Sequence, residues 1–242
     1  MSAEELAKIA ENERESRKSL KYEINVCVAG GCLSSHSDAL IEAFRRQVKS
    51  QGLEHQCRVK GVGCLGLCAQ APLVSIGKKN ILYHTVTPGD VPEIVDSLDT
   101  KPIKRLQVSL DSPFFNRQTK IVLDNCGQVD PERIEDYIEV GGYSALAKTL
   151  NEMTPTEVTE QVRKSGLRGR GGAGYPTGLK WSTVSRAVGA KKFVVCNADE
   201  GDPGAFMDRT LLASDPHKVL EGMIIAAYAI GASDGFIYVR AE

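Results

Sequence analysis

Two pairs of cysteines have types and spacings that could do chemistry. Cys27 and Cys32 are separated by four residues, Cys64 and Cys68 by three. The second pair sits in a glycine-rich run, Gly61-Val62-Gly63-Cys64-Leu65-Gly66-Leu67-Cys68. Thiolates are ligands for soft metals, and glycine lets backbone N–H groups come close to anionic sulfur. Two metal chemistries fit four such residues, an iron–sulfur cluster and a structural zinc. Zinc ribbons more often use two-residue spacings, so the pattern leans toward a cluster. Plain buried thiols are the third reading. Cys57 falls on an expected strand and reads as core, while Cys126 and Cys196 are isolated and read as buried structural residues.

A second kind of chemistry belongs to Gly166–Trp181, which carries Gly166, Gly169, Gly171, Gly172, Gly174 and Gly178. Backbone N–H groups of such a loop can wrap a phosphate, and Arg168, Arg170 and Lys180 add positive charge. The Gly-Lys-Ser/Thr of a Walker loop is missing, and the loop follows a helix where the dinucleotide fingerprint follows a strand. The alternative is a flexible basic linker, against which Tyr175 and Trp181 argue. A third stretch, Cys196-Asn197-Ala198-Asp199-Glu200-Gly201-Asp202-Pro203-Gly204, directly follows an expected strand, where α/β folds place ligand loops. Its Asn and Asp can hydrogen-bond a heterocycle or ribitol, and its Glu a ribose or a ring N–H. An ordinary acidic turn is the alternative.

These residues need elements to hold them. Tyr22–Val28 reads as a strand, Ser37–Ser50 as a helix with Leu40, Ile41, Phe44 and Val48 on one face, and Leu53–Val59 as a second strand. Leu73–Ile76 and Ile81–Val86 read as a hairpin around Gly77–Asn80, and Pro88–Leu98 as a helix with Thr87 at its N-cap. That order is a small α/β layer fold of thioredoxin-like type, with both cysteine loops at one end of its sheet. Ahead of it, Ser2 and Glu5 make a capping-box pattern for a helix to about Leu20, poor in large aliphatics. It reads as a solvated surface arm, or alternatively as an arm that docks a partner. After it, strands are expected at Lys104–Ser109 and Lys120–Leu123, and a helix from Asp130-Pro131 to Gly141-Gly142. Thr154-Pro155-Thr156-Glu157 caps a helix ending at Gly166; Phe193–Cys196 reads as a short buried strand, Asp215–Ile230 as a long apolar helix, and Phe236–Val239 as a strand. Four segments are expected: a helical arm (1–21), a thioredoxin-like domain (22–99), a linker with a short helix (100–150) and an α/β segment (151–242).

Composition narrows the classes. The chain has 242 residues, 42% hydrophobic and 25% charged, which excludes low-complexity disorder for most of it. Its net charge is −1, so no broad basic field invites nucleic acid. No apolar run approaches the roughly 18 residues of a membrane span. Residues 1–21 are charged throughout, unlike a secretory signal, so a cytoplasmic protein without direct membrane insertion is expected. With seven cysteines, an odd number, a disulfide framework is not. His36, His55, His84 and His217 are scattered, and no side-chain catalytic group is assigned.

Taken together, Gly166–Trp181 and Asn197–Arg209 resemble the flavin- and NADH-binding subunit of respiratory complex I and its relatives, the NAD-linked hydrogenases and formate dehydrogenases. The four-cysteine region resembles the thioredoxin-like [2Fe-2S] module of that family, here fused in front. The fusion order, Pro113-Phe114-Phe115, Asp130–Tyr143, Gly174-Tyr175-Pro176 and the Asp at 202 resemble the diaphorase subunit of bidirectional NAD-reducing nickel–iron hydrogenases. The resemblance implies an α/β chain: a [2Fe-2S] ferredoxin domain followed by the N-terminal part of an FMN-binding domain. It implies an NADH:acceptor oxidoreductase in a hetero-oligomer with other iron–sulfur and hydrogenase, formate dehydrogenase or complex I-like subunits. FMN belongs there because NADH gives two electrons at once and a cluster takes one. By motif, Cys27, Cys32, Cys64 and Cys68 would ligate the cluster. Gly169, Arg170, Gly171, Gly172, Gly174, Lys180, Asn197 and Asp199 would hold FMN, and Tyr175, Glu200 and Asp202 would face NAD(H). The family also implies further chain beyond residue 242, with a [4Fe-4S] cluster. The competing class is a non-catalytic electron-transfer or assembly subunit that uses only the N-terminal cluster.

Overall fold

The computed structural model describes residues 2–240. It divides into two compact units. The first takes Ile9–Val140 and, from much later in the chain, Thr210–Pro216. The second takes Gly141–Arg209, the described chain from His217 onward, and the start of the first helix.

The N-terminal helix is α1 (Ala3–Lys18), closed by Ser2 and Glu5, each accepting the other's backbone N–H. The first unit is then built on a four-stranded sheet of order β2-β1-β3-β4, from β1 (Tyr22–Cys27), β2 (Cys57–Val62), β3 (Val74–Ile76) and β4 (Ile81–Tyr83). β1 and β2 run parallel, from Tyr22↔Cys57 to Cys27↔Val62, and the β3–β4 hairpin adds antiparallel to β1. The short α2 (Gly30–Leu33) and the longer α3 (Ser37–Ser50) connect β1 to β2. α4 (Val91–Asp96) follows the hairpin behind a turn whose capping box is Thr87 and Asp90. The period-2 alternation of β1 sends Tyr22, Ile24 and Val26 to one face, where they pack with Leu40, Phe44 and Val48 of α3 and Ile94 and Val95 of α4. Cys57 lies in this core, as read from the sequence.

The other face is polar yet buried, which the strand patterns did not announce. Glu23, Asn25 and Lys60 lie on it at 2–4% exposure. Arg17 of α1 donates to Glu23 at 2.8 Å, and Glu13 receives Arg58 at 2.6 Å and Arg133 at 2.9 Å. The arm is therefore not a solvated helix; its buried acid holds two arginines. Between α5 (Pro113–Asn116) and α6 (Ile134–Glu139) the chain is mostly turns. The strand expected at Lys120–Leu123 is a turn, and that at Lys104–Ser109 reduces to one bridge, Tyr83↔Gln107. The helix expected from Asp130 starts only at Ile134, because Asp130 and Pro131 form the turn that brings Asp136 to Lys60.

The second unit holds α7 (Ser144–Glu152), α8 (Pro155–Lys164), α9 (Thr177–Arg186), α10 (Met207–Ser214), which runs on into the first unit, α11 (Pro216–Ile230) and a two-stranded parallel sheet of β5 (Phe193–Ala198) and β6 (Asp234–Val239). Glu221 of α11 accepts the N–H groups of Tyr143 and Leu146, both at 2.9 Å, and so caps α7. Thr154 and Glu157 cap α8, as their spacing implies. A Cβ on Gly178 would stand 2.5 Å from the backbone N and Cα of Arg163, so α8 and α9 pack together only because residue 178 is glycine. β5 is not the buried strand expected: Val195 is 60% exposed and Phe193 48%. Among the described residues no helix is long and apolar enough to cross a membrane.

Candidate metal centre and cofactor loops

Because β1 and β2 are parallel, their C-terminal ends lie at one sheet edge. Cys27 is the last residue of β1 and Cys64 comes two residues after β2. Cys32 sits on α2, and Cys68 opens a single helical turn before β3. The sulfurs of Cys64 and Cys68 are 3.8 Å apart. Cys32 hydrogen-bonds Cys27, and this bond holds the Cys27 thiol down at about 6, with help from the N–H groups of Ala29 and Leu65. The same bond, then burial, pushes Cys32 up. Cys64 is pushed up to about 11, chiefly by burial, against the Gly66 N–H that donates to its sulfur at 3.3 Å. Gly31 joins the two pairs, since a Cβ there would lie 3.4 Å from the Cys68 sulfur.

The site is graded in exposure. Cys27 and Cys32 are 1% exposed, Cys64 is half-buried and Cys68 is exposed. Leu65, Leu67, Leu73 and Leu82 jacket the buried pair, together with Val108, Leu110 and Phe115. The last three come from the stretch read as linker: Val108 from the strand expected at Lys104–Ser109, Phe115 from the Pro113-Phe114-Phe115 segment, and Leu110 from between them, none of them read as packing on the cysteines. Among the described residues no three His, Cys, Asp or Glu donors gather about one point as a single ion requires. The sulfurs stand as two pairs, and a [2Fe-2S] centre takes its four protein ligands as two on each iron. The paired sulfurs and the several N–H groups aimed at them fit that cluster better than a lone zinc. Cys126 is buried at 6% exposure, as read, whereas Cys196 is only half-buried and its thiol is raised by burial.

The glycine loop is a closed hairpin. Gly169 N–H donates to Tyr175 O and Thr177 N–H to Leu167 O, both at 2.9 Å, and Arg168 bridges Pro176. Its tip carries Gly172 at φ +88° and Gly174 at φ +58°, a region L side chains avoid. A Cβ at Gly171, Gly172 or Gly174 would meet nothing within 4 Å, so the tip backbone is open to a ligand. The hairpin leads straight into α9, so Lys180, exposed in its first turns, lies near a helix N-terminus, a site that favours anions. That helix was hidden in the sequence by the glycines before it. Open glycine backbone, a helix N-terminus and a lysine fit a phosphate, as FMN carries. Arg168 and Arg170 instead turn back on the loop, donating to Gly174 O and Arg168 O.

The acidic loop leaves the C-terminal end of β5. Asn197 is exposed there, and its Oδ1 accepts the Asp199 N–H at 3.2 Å. Glu200 has φ +49°, and its carboxylate accepts the N–H groups of Asp208 at 2.7 Å and Arg209 at 3.0 Å. It therefore caps α10. Desolvation pushes its carboxyl up, but these backbone donors outweigh it and hold the group below its ordinary value. Asp202 is exposed and its carbonyl closes a turn onto Ala205 N–H at 3.0 Å. Tyr175 is 47% exposed.

Comparison with known proteins bears on both halves. Residues 13–99 match the thioredoxin-like [2Fe-2S] ferredoxin family, and residues 162–242 match the Nuo51 FMN-binding domain. The NADP-reducing hydrogenase subunit HndC of Solidesulfovibrio fructosivorans is 56% identical over 126 residues, 52% of this chain and 25% of that protein. An NADH-quinone oxidoreductase subunit of Rhizobium meliloti is 50% identical over 122 residues, 50% of this chain and 29% of its own. The NAD-reducing hydrogenase HoxS subunit alpha of Cupriavidus necator is 37% identical over 182 residues, 74% of this chain and 29% of its own. The chain thus spans 25–29% of the length of these relatives.

Proposed function

We propose that this chain, which joins a thioredoxin-like [2Fe-2S] ferredoxin domain to a segment of an Nuo51 FMN-binding domain, is the diaphorase part of an NAD(H):acceptor oxidoreductase. In this reading it passes electrons between NAD(H), FMN and iron–sulfur clusters inside a cytoplasmic hydrogenase-type hetero-oligomer. The observation that carries it is the set of four sulfurs at one sheet edge, in two pairs with backbone N–H donors, on the same chain as an open phosphate loop. The names of its relatives, two of them hydrogenase subunits and one an NADH-quinone oxidoreductase subunit, support the reaction class.

Each residue group has a task. Cys27 and Cys32, in the apolar jacket, and Cys64 and Cys68, nearer solvent, would hold the cluster. Gly169, Arg170, Gly171, Gly172 and Gly174 present backbone to the flavin phosphate, and Lys180 pairs with its charge. Asn197 and Asp199, at the end of β5, offer hydrogen bonds to the flavin; Tyr175 and Asp202 face the nicotinamide nucleotide. Glu200, expected beside them, is committed to the N-terminus of α10, so its part is to hold the loop in shape. Bound FMN would supply the conversion between the two-electron chemistry of a nicotinamide and the one-electron chemistry of a cluster.

An absorption spectrum of the protein purified without oxygen, followed by titration with NADH and with NADPH, tests this. Flavin and cluster bands that bleach with one of the two nucleotides are expected. Cluster bands alone would favour the electron-transfer or assembly subunit, and a colourless protein holding zinc would overturn the reading.

A further inference from the structure

We infer that Ser214 is a positioning residue for the cluster, acting through the backbone of Cys64. The inference rests on the proposal that Cys64 is a ligand. Ser214 is 0% exposed, and its Oγ accepts the Cys64 N–H at 3.0 Å across 150 residues of sequence. Both residues lie in the same compact unit, although Ser214 falls within the segment that matches the FMN-binding domain. The fit is close: a Cβ on Gly63 would overlap the Ser214 side chain and backbone, so glycine at 63 is what lets the hydroxyl reach residue 64. The next residue anchors the segment, since Asp215, 1% exposed, accepts from Asn125 Nδ2 at 2.8 Å.

This contact decides where the loop's other donors point. With the Cys64 N–H taken up by Ser214, the following peptide turns its N–H, that of Leu65, to the Cys27 sulfur, and the Gly66 N–H to the Cys64 sulfur. Hydrogen bonds to the sulfurs are among the factors that set a cluster's potential, because they stabilise the extra negative charge of the reduced state. Ser214 therefore tunes the potential of the centre without touching it.

The test compares Ser214→Ala with Asn125→Ala in the full chain. The first deletes the acceptor on Cys64; the second loosens the same buried segment and leaves that acceptor in place. Cys64→Ser, assayed for iron, checks the ligand reading separately: a normal, unaltered cluster there would sink that reading and the Ser214 inference with it, whereas lost iron there beside an unshifted Ser214→Ala would overturn the Ser214 inference alone. In Ser214→Ala the midpoint potential is expected to become more negative, with the ratio of reduced to oxidised cluster at fixed potential falling about tenfold, or about 59 mV for one electron. The electron paramagnetic resonance line shape of the reduced cluster should change with it. Selective loss of iron from Ser214→Ala, with the fold retained by circular dichroism, supports the same contact. Wild-type potential and line shape in Ser214→Ala, or equal shifts or unfolding in both variants, would overturn the inference.

Discussion

Lys60 Nζ lies 2.9 Å from Asp136 Oδ2 on the polar face of the sheet, and the two side chains are 2% and 1% exposed. The pair ties α6 to β2, the strand that leads into Cys64. Gln128 O also accepts from Lys60, at 2.6 Å, so the ammonium is shared between a carboxylate and a carbonyl. Removing Asp136 leaves the buried Lys60 ammonium without its carboxylate. Asp136→Ala is expected to lower stability by about 3–5 kcal/mol, read as a shift in the urea midpoint. A double change of Lys60 and Asp136 to Met and Leu should recover most of it; a single variant as stable as the parent would contradict the account.

The same carboxylate sets an acid limit. Burial pushes Asp136 up, but Lys60 and Arg58 outweigh it and hold the folded-state value below the usual one. A group whose folded value is depressed contributes fully above its unfolded value, about 3.9, and loses that contribution as pH falls through the folded value. Stability should therefore drop on acidification below about pH 4. The gap between the parent and Asp136→Asn should narrow over the same range, measured by urea unfolding at stepped pH.

Among the cysteines, Cys64→Ser should remove most of the iron and destabilise the first unit, since in the proposed reading its loops would be held by iron–thiolate bonds. Cys57 sits in the apolar core at 4% exposure, so Cys57→Ser should keep the iron while lowering stability. Iron per chain and the visible spectrum decide between them. A Cys57→Ser protein without iron beside a Cys64→Ser protein with its full complement would reverse the ligand set.

The two loops should separate by variant. Gly172→Val meets a φ of +88°, so it should abolish FMN binding by distorting the tip. Lys180→Ala should weaken it by about 1.5–3 kcal/mol, one charge-assisted contact. Asp202→Ala should leave FMN in place and slow NADH oxidation. FMN occupancy and NADH-dependent dye reduction read the three. Loss of flavin from Asp202→Ala with unchanged NADH affinity would move that residue to the flavin.

Gly178→Ala checks the support beneath the glycine loop. Its new methyl would meet Arg163 backbone at 2.5 Å, so α8 and α9 must part. A loss of about 1–3 kcal/mol is expected, as for overpacking, together with weaker FMN binding, because the hairpin spans the two helices. Thermal unfolding and flavin titration of the same variant test both.

Local chemistry was legible in the residues themselves. Ser2/Glu5 and Thr154/Glu157 cap the helices their spacing announced, because a capping box is complete within four residues. The strand and helix order from Tyr22 to Leu98, and Cys57 in the core, followed from periodicity, which reports which face is buried. The cysteine spacings and the two loops carried the resemblance. What only the tertiary structure decided are meetings across long stretches of chain. Glu13 with Arg58 and Arg133, Lys60 with Asp136, Phe115 over the cysteines, and Cys64 with Ser214 all depend on where distant segments return. So does the use of Glu200 as a helix cap in a loop that reads as ligand-binding. A polar residue in a sequence looks the same whether water or a buried partner satisfies it. Only the fold, by excluding water from the second face of the sheet and from the loop after β2, makes Glu13, Lys60 and Ser214 obligatory partners.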